Sequence, residues 1–598
     1  MSAAELAPEL VHAMAPAAQG VVGDSASPEA LRKLSRQLAS PKLAVKAQRK
    51  ALEKLKAALM AIRAGDFALG ARRALDALRI DETNGLAWHV LAICREKSGD
   101  LGQALLAYEA ALKLLPNETD VAHDLGRLAQ QMGYLDIAEK LLLKYLAADP
   151  GHVEATNNLA CVQRDQKRYG DAVETLRALL GVEPESPVLW NTLGTVLSDQ
   201  GDMTTALTFF EEALRHDPGF AKARYNRANA RQPLGDALGA LEDLDAALPG
   251  AESPYERAMM TMARALQLMA LGRIPEGFEA YDVRLDPHLP EAMRVAVDAP
   301  RWDGAVGEMA GRRLLILGEQ GIADEMLFGT CVGDAIEAVG PEGKVFIAVE
   351  PRLVALFQRA FPTAVVGGHR AVKLEGRITR YVPFLEAMED GEGAVDAWIP
   401  MASMLALFRP SIDRFPDRRG YLAADPGRIA HWKAELEKLG PGLKVGLHWK
   451  SLVLTGSRAR YFSGFERWRP VLETPGAVMV NLQCGDVAED LAAAETAGVS
   501  IWTPPIDLKD DLEDVAALSV ALDLVIGPGI AGTNLAAAVG GTAWMVTAPD
   551  DWHFLATDKY PFYPHLRYFP RDSFDGWEDA IGRIRAALDD AVKTGNAG

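Results

Sequence analysis

Residues 527 to 532, Gly-Pro-Gly-Ile-Ala-Gly, spell G-x-G-x-x-G between the apolar run "DLVIGP" and a helix of small residues. Glycines let a backbone approach a ligand closely. The first turn of the next helix carries unpaired N–H groups that favour an anion. Thr533 and Asn534 fall in or near that turn, so the pattern predicts a phosphate site using Gly527, Gly529, Thr533 and Asn534. A packed turn with no ligand is the alternative. Asp550 and Asp551 follow the next apolar run. That spacing fits a dinucleotide only loosely. The dinucleotide fingerprint belongs on the first strand of its domain, whereas this loop follows a fourth apolar run with one clear strand after it, which argues against NAD.

Other residue types with chemical potential gather at predicted strand ends. "GLHWKSLVLTGSRARYF" closes a strand with His448 and Lys450, and Arg458 and Arg460 follow. Lys450 and the two arginines suit a phosphate to be neutralised. His448 suits a proton donor, or a packed histidine in an apolar strand. Gln483, ending "VNLQ", is placed to read a nucleotide base edge. Asp511, in "DLKDDLEDV", either contacts a base or ribose or caps the helix it opens. "LGEQGIADEM" brings Gln320, Asp324 and Glu325 to a glycine-bearing turn. A carboxylate there suits a general base or the first-turn acid of the next helix. No metal is expected: Cys94, Cys161, Cys331 and Cys484 are scattered and form no CxxC pair.

Positioning these groups requires an α/β frame. After "PRWDG" at 300–304, apolar runs of strand length alternate with amphipathic stretches. The runs are "RRLLILGE", "KVFIAVE", "TAVVGG" and "DAWIPM", then, beyond a proline-rich linker at 411–426, "KVGLHWK", "AVMVNLQC", "SIWTPP", "DLVIGP" and "TAWMVTA". Such alternation predicts βαβ units around parallel sheets. It gives two Rossmann-like halves, at 300–410 and 427–598, facing each other across a cleft.

The preceding residues repeat on a 34-residue step from Ala51, with starts at Gly85, Thr119, Val153, Pro187 and Ala221. The fifteenth position holds Gly65, Gly99, Gly133, Lys167, Gly201 and Gly235, and the twentieth Gly70, Ala104, Ala138, Ala172, Ala206 and Ala240. Pro116, Pro150, Pro184 and Pro218 close the central units. Period and residue types match the tetratricopeptide repeat (TPR). The small residue lets paired helices approach, and the proline ends the second helix. A weaker seventh unit is expected near Ala258, giving an array of six to seven repeats over 51–291. Residues 1–30 read as disordered and 31–50 as a capping helix. Concave faces of such arrays take up peptides, and Asp124, Asn158 and Asn226 share the sixth position of their repeats.

The chain has 598 residues and a net charge of −19. That charge disfavours nucleic acid and anionic membrane as partners. No signal peptide or span of about 18 apolar residues is visible, so a cytoplasmic location is expected.

The ordered motifs "PRWDG", "RRLLILGEQGIADE", "GLHWKS", "VNLQCGD", "DLKDDLEDVAALSVALDLVI" and "DKYPFYPHLRYF" resemble bacterial TPR-linked glycosyltransferases related to families 9 and 41, above all the alphaproteobacterial flagellin-modifying ones. The resemblance implies a TPR superhelix followed by a GT-B fold. It also implies a metal-independent cytoplasmic O-glycosyltransferase without a resident cofactor. The implied donor is a CMP- or UDP-linked sugar such as pseudaminic acid, and the acceptor is Ser/Thr of flagellin. Asp324 would act as base with Glu325 as rival, His448 assisting. Donor contacts would come from Lys450, Arg458, Arg460, Gln483, Asp511, Gly527, Gly529, Thr533 and Asn534. Acceptor contacts would come from Gln320, Asp124, Asn158 and Asn226, the last three resembling the asparagine ladder of O-linked N-acetylglucosamine transferases. Family 9 members carry an acid and a histidine where this chain has Gly529 and Asn534. That departure keeps a second expectation open: a TPR scaffold or chaperone with a degenerate, non-catalytic transferase-like domain.

Overall fold

The computed structural model describes residues 45–598, except Glu375, 453–461, Asp550 and 574–575. The expected disordered N-terminus, most of the capping helix, and Arg458 and Arg460 lie outside the described residues. Two compact units divide at Pro218–Gly219.

The first unit is built from antiparallel helix pairs, beginning with Val45–Arg63 and Phe67–Leu78 and ending with Pro187–Gln200 and Met203–His216. Helices start at Gly85, Thr119, Val153 and Pro187, on the repeat step read from the sequence. The turn residue takes a left-handed conformation, with φ of 75° at Gly65, 81° at Gly99 and 105° at Gly201. Lys167 holds the same place at φ 63° despite its side chain. The residue after the turn does a second job. Asp66, Asp100 and Asp202 each accept a hydrogen bond from an N–H three residues on, at 2.8, 3.3 and 3.0 Å, which caps the second helix. Ala104, Ala138, Ala172 and Ala206 are fully buried between paired helices. Gly194 lets the ring of Phe210 pack where a Cβ would stand only 2.6 Å from it.

The second unit opens with two more helix pairs: Ala221–Arg231 with Ala237–Ala247, and Pro254–Ala270 with Ile274–Tyr281. The last repeat begins four residues before the expected Ala258, because Ser253 accepts the Glu256 N–H at 3.1 Å and Pro254 occupies the first helical position.

Two parallel sheets follow. The first runs in the order Val365–Gly368, Lys344–Val349, Arg313–Leu317, Ala397–Pro400. The second has six strands in the order Ile501–Trp502, Ala477–Asn481, Leu443–Leu447, Leu524–Pro528, Ala543–Thr547, Arg567–Pro570. In chain order this is 3-2-1-4-5-6, a doubly wound arrangement whose switch point lies between Leu443–Leu447 and Leu524–Pro528. The sixth strand, Arg567–Pro570, was not foreseen, so two strands rather than one follow the glycine turn. A small sheet was not foreseen: Arg370–Leu374 pairs antiparallel with Arg377–Tyr381, which pairs parallel with Arg294–Ala296.

One hydrophobic cluster joins both large sheets. It contains Met326, Leu327 and Phe328 after the first sheet's central strand and Leu535, Ala536 and Ala537 after the glycine turn. Arg359 pairs with Glu513, and the Tyr421 and Leu422 N–H groups donate to the Ala538 carbonyl at 2.8 and 2.9 Å. Among the described residues no helix is long and apolar enough to cross a membrane.

Candidate functional site

The glycine turn lies at the switch point of the second sheet, but its glycines make room for a side chain of the protein itself. None of Gly527, Gly529 and Gly532 has positive φ. A Cβ on Gly532 would stand 2.2 Å from His448 Cε1, and one on Gly527 would stand 2.8 Å from His448 Cβ and 2.7 Å from Thr533 Oγ1. Gly529 is exposed, with Met545 Sδ 3.6 Å from its notional Cβ. His448 is 3% exposed. Burial lowers its imidazole pKa to about 4, so the ring is neutral at ordinary pH. Thr533 is fully buried. Asn534 donates its side-chain N–H to the Ile530 carbonyl at 2.9 Å and so stays within its own helix.

The neighbouring strand ends are tied to one another. Gln483 Oε1 accepts the Trp449 and Lys450 N–H groups at 3.0 and 2.9 Å. Its own N–H donates to Asn481 Oδ1 at 2.9 Å. Lys450 Nζ donates to Asp490 at 2.7 Å. Asp511 accepts the Asp514 N–H at 3.1 Å and lies 3.6 Å from Arg428, which is the capping alternative.

The loop after the first sheet's central strand is held in the same way. Asp324 accepts the Gly321 N–H at 3.0 Å, closing the first turn of helix Ile322–Phe328. Burial raises its carboxyl above the ordinary value. Glu325 is 1% exposed. It accepts the Glu350 N–H at 2.7 Å, faces His369 Nε2 at 2.7 Å, and pairs with Arg380 at 3.1 Å. Both its oxygens are therefore engaged inside the protein. Glu319, which the sequence reading passed over, accepts Arg284 in a buried fork at 2.7 and 2.8 Å and the Ala402 N–H at 2.9 Å.

In the repeats, polar residues at the sixth position reach back one repeat. Asp124 Oδ2 lies 2.7 Å from His89 Nε2, and Asn158 Nδ2 lies 3.4 Å from His123 Nε2. Burial pushes the Asp124 carboxyl up, but the His89 hydrogen bond and the charges of His89 and Arg127 outweigh it and hold it below its ordinary value. Asn226 is half-buried on helix Ala221–Arg231.

A cavity of about 810 Å³ opens in the second unit where the last two repeats meet the small sheet. Tyr225 and Asn229 come from helix Ala221–Arg231, Tyr255 and Met262 from helix Pro254–Ala270, and Ile378 from the small sheet. Gln320 also lines it, in a left-handed conformation at φ 59° and with Nε2 donating to Tyr281 Oη at 2.8 Å. Of the residues predicted to act together, the structure thus places Gln320 on this cavity. Asp324 and Glu325 sit in the framework behind it, and His448 lies under the glycine turn. Among the described residues no group of three or more His, Cys, Asp or Glu side chains is placed to hold a metal.

Protein FlbA of Caulobacter vibrioides is 48% identical over 571 residues, covering 95% of this chain and 94% of its own length. This chain belongs to the FlbA family. The tetratricopeptide repeat family matches residues 123–187 and 191–257. Tetratricopeptide repeat protein 7B of Homo sapiens is 31% identical over 116 residues, 19% of this chain and 14% of that protein. A solved tetratricopeptide repeat protein from Parabacteroides merdae is 16% identical with a TM-score of 0.35, covering 39% of this chain and 91% of its own. The type IV pilus biogenesis factor PilW is 22% identical with a TM-score of 0.31, covering 35% and 97%.

Membership of the FlbA family corrects the expected membership of the family 9 and 41 glycosyltransferases. The chain is a TPR-repeat protein of this family and not a GT-B enzyme. The expected transfer of a nucleotide-activated nonulosonic acid to flagellin falls with that reading. The motifs that suggested an enzyme have structural work in the fold: a helix cap, a buried ion cluster and a histidine packed under two glycines.

Proposed function

We propose that this chain is a non-catalytic TPR scaffold or chaperone in flagellum assembly. Its α/β part is a transferase-like domain that has kept its frame and does no group transfer. The observation that carries the reading is the 48% identity to FlbA across 95% of the chain. The site geometry supports it. Glu325, the rival candidate base, has both oxygens occupied. Lys450, the candidate phosphate ligand, is paired with Asp490. The doubly wound second sheet beside a four-stranded parallel sheet fits descent from a two-Rossmann architecture.

The partner in this reading is a polypeptide, flagellin being the first to test. Repeat arrays present concave faces for peptide binding, and the net charge of −19 argues against nucleic acid. Deleting the gene and counting flagella tests the reading. Loss of filaments restored by the full chain supports it. Normal filaments and motility in the deletion strain contradict it.

A further inference from the structure

The cavity between the last two repeats and the small sheet has a lining that selects a ligand class. We infer that it takes an extended polypeptide segment bearing apolar side chains, whose backbone meets the Asn229 amide and the edge of strand Arg370–Leu374. This rests on the scaffold reading and names the chemistry of the partner at one site.

The apolar wall is adaptable. Met259, Met262 and Met293 line it with Ile378, and flexible thioethers fit side chains of differing shape. Burial raises the Tyr225 and Tyr255 hydroxyls above their ordinary value. At about 810 Å³ the cavity falls in the range of sites that enclose most of a ligand's surface.

The polar groups favour a neutral acceptor over an anion. Arg284 and Arg380 line the cavity, but Glu319 and Glu291 line it too. Arg284 is spent on Glu319, and the Arg380 tip is shared among Glu325 and the Gly318 and Gln320 carbonyls. Arg380 is 5% exposed and its Nε is sealed from solvent, so neither arginine is free to hold an anion. Asn229 is exposed on the first helix of its repeat, and an amide pairs with a backbone whatever its sequence. Strand Arg370–Leu374 lies at the edge of its sheet and contributes Ala371 to the same cavity. Sheet edges pair with extended peptides.

The test is selection of phage displaying short random peptides on the immobilised full chain. Enriched peptides are then measured by calorimetry against the wild type and two variants. Met262→Arg fills the cavity, and Ile378→Asp places a charge on its rim at a position already 39% exposed. The expected result is an enriched apolar consensus whose affinity falls roughly tenfold or more in both variants. Ile378→Asp decides the matter if Met262→Arg fails to fold. The inference is overturned if no apolar consensus emerges, or if the enriched peptides bind the folded variants as tightly as the wild type. Its failure is distinct from that of the scaffold reading, which the deletion strain tests. Peptides that dock here while the deletion strain swims normally would sink the scaffold and leave the cavity.

Discussion

His448 and Gly532 are in contact, the imidazole edge lying where a Cβ on the glycine would be 2.2 Å from Cε1. Glycine is required there for space rather than for backbone conformation, since Gly532 does not have positive φ. Gly532→Ala is expected to cost about 1–3 kcal/mol through overpacking. Gly529→Ala, which meets only Met545 at 3.6 Å, should stay within about 0.5 kcal/mol of wild type. Urea unfolding of both variants checks this. Equal costs at the two glycines would mean that the ring does not occupy the position described.

The same histidine gives the fold a pH dependence. Its pKa falls to about 4 on folding, from 6.5. The unfolded chain therefore binds the extra proton first as pH falls. The contribution is fully present above about pH 6.5 and is lost progressively down to about pH 4, reaching roughly 3 kcal/mol at the acid end. Denaturation midpoints between pH 7 and pH 4 should fall less steeply in His448→Asn than in wild type. Parallel curves would show that the ring is solvated or paired in the native state.

Arg284 and Glu319 form a buried pair, 4% and 2% exposed, that fastens the end of the last repeat to the first sheet. Removing Arg284 leaves the Glu319 charge in the interior, and removing Glu319 leaves Arg284 only the part-exposed Asp282 as an ionic partner. Glu319→Gln or Arg284→Met should each cost about 3–5 kcal/mol. The double variant should cost less than the sum of the two. A thermal-melt cycle of the four proteins measures the coupling, and additivity within error would count against the pairing.

The repeat caps predict a smaller effect. Asp202→Ala removes the acceptor for the Thr205 N–H at 3.0 Å and should cost about 1 kcal/mol in the first unit. Asp202→Asn should restore most of it. Helix content followed by circular dichroism during unfolding separates these outcomes.

The repeats were legible because their rules are local: a left-handed turn at Gly65, Gly99 and Gly201, and a small buried residue five places on, can be read without knowing the fold. The parallel strands were legible as short apolar runs. The Arg567–Pro570 strand was hidden in an aromatic, proline-rich segment, and the Arg370–Tyr381 hairpin in a charged one, where alternation is faint. The site was the hardest part. Carboxylates at a strand end suit a base or a structural ion cluster equally well, and only the distances from Glu325 to Glu350, His369 and Arg380 distinguish them. The Arg284–Glu319 fork joins residues 35 apart and leaves no local signal. The motif order pointed to an enzyme because strand-end carboxylates and glycine turns build a frame as readily as they serve a reaction. The near full-length relationship to FlbA corrected that.

The most direct test of the central claim is the intact mass of flagellin from cells with and without this gene, read beside filament assembly. The scaffold account predicts that assembly changes while the mass of each flagellin chain stays the same. A sugar-sized increment present only when the gene is intact, and lost in a folded variant such as Lys450→Met, would contradict it.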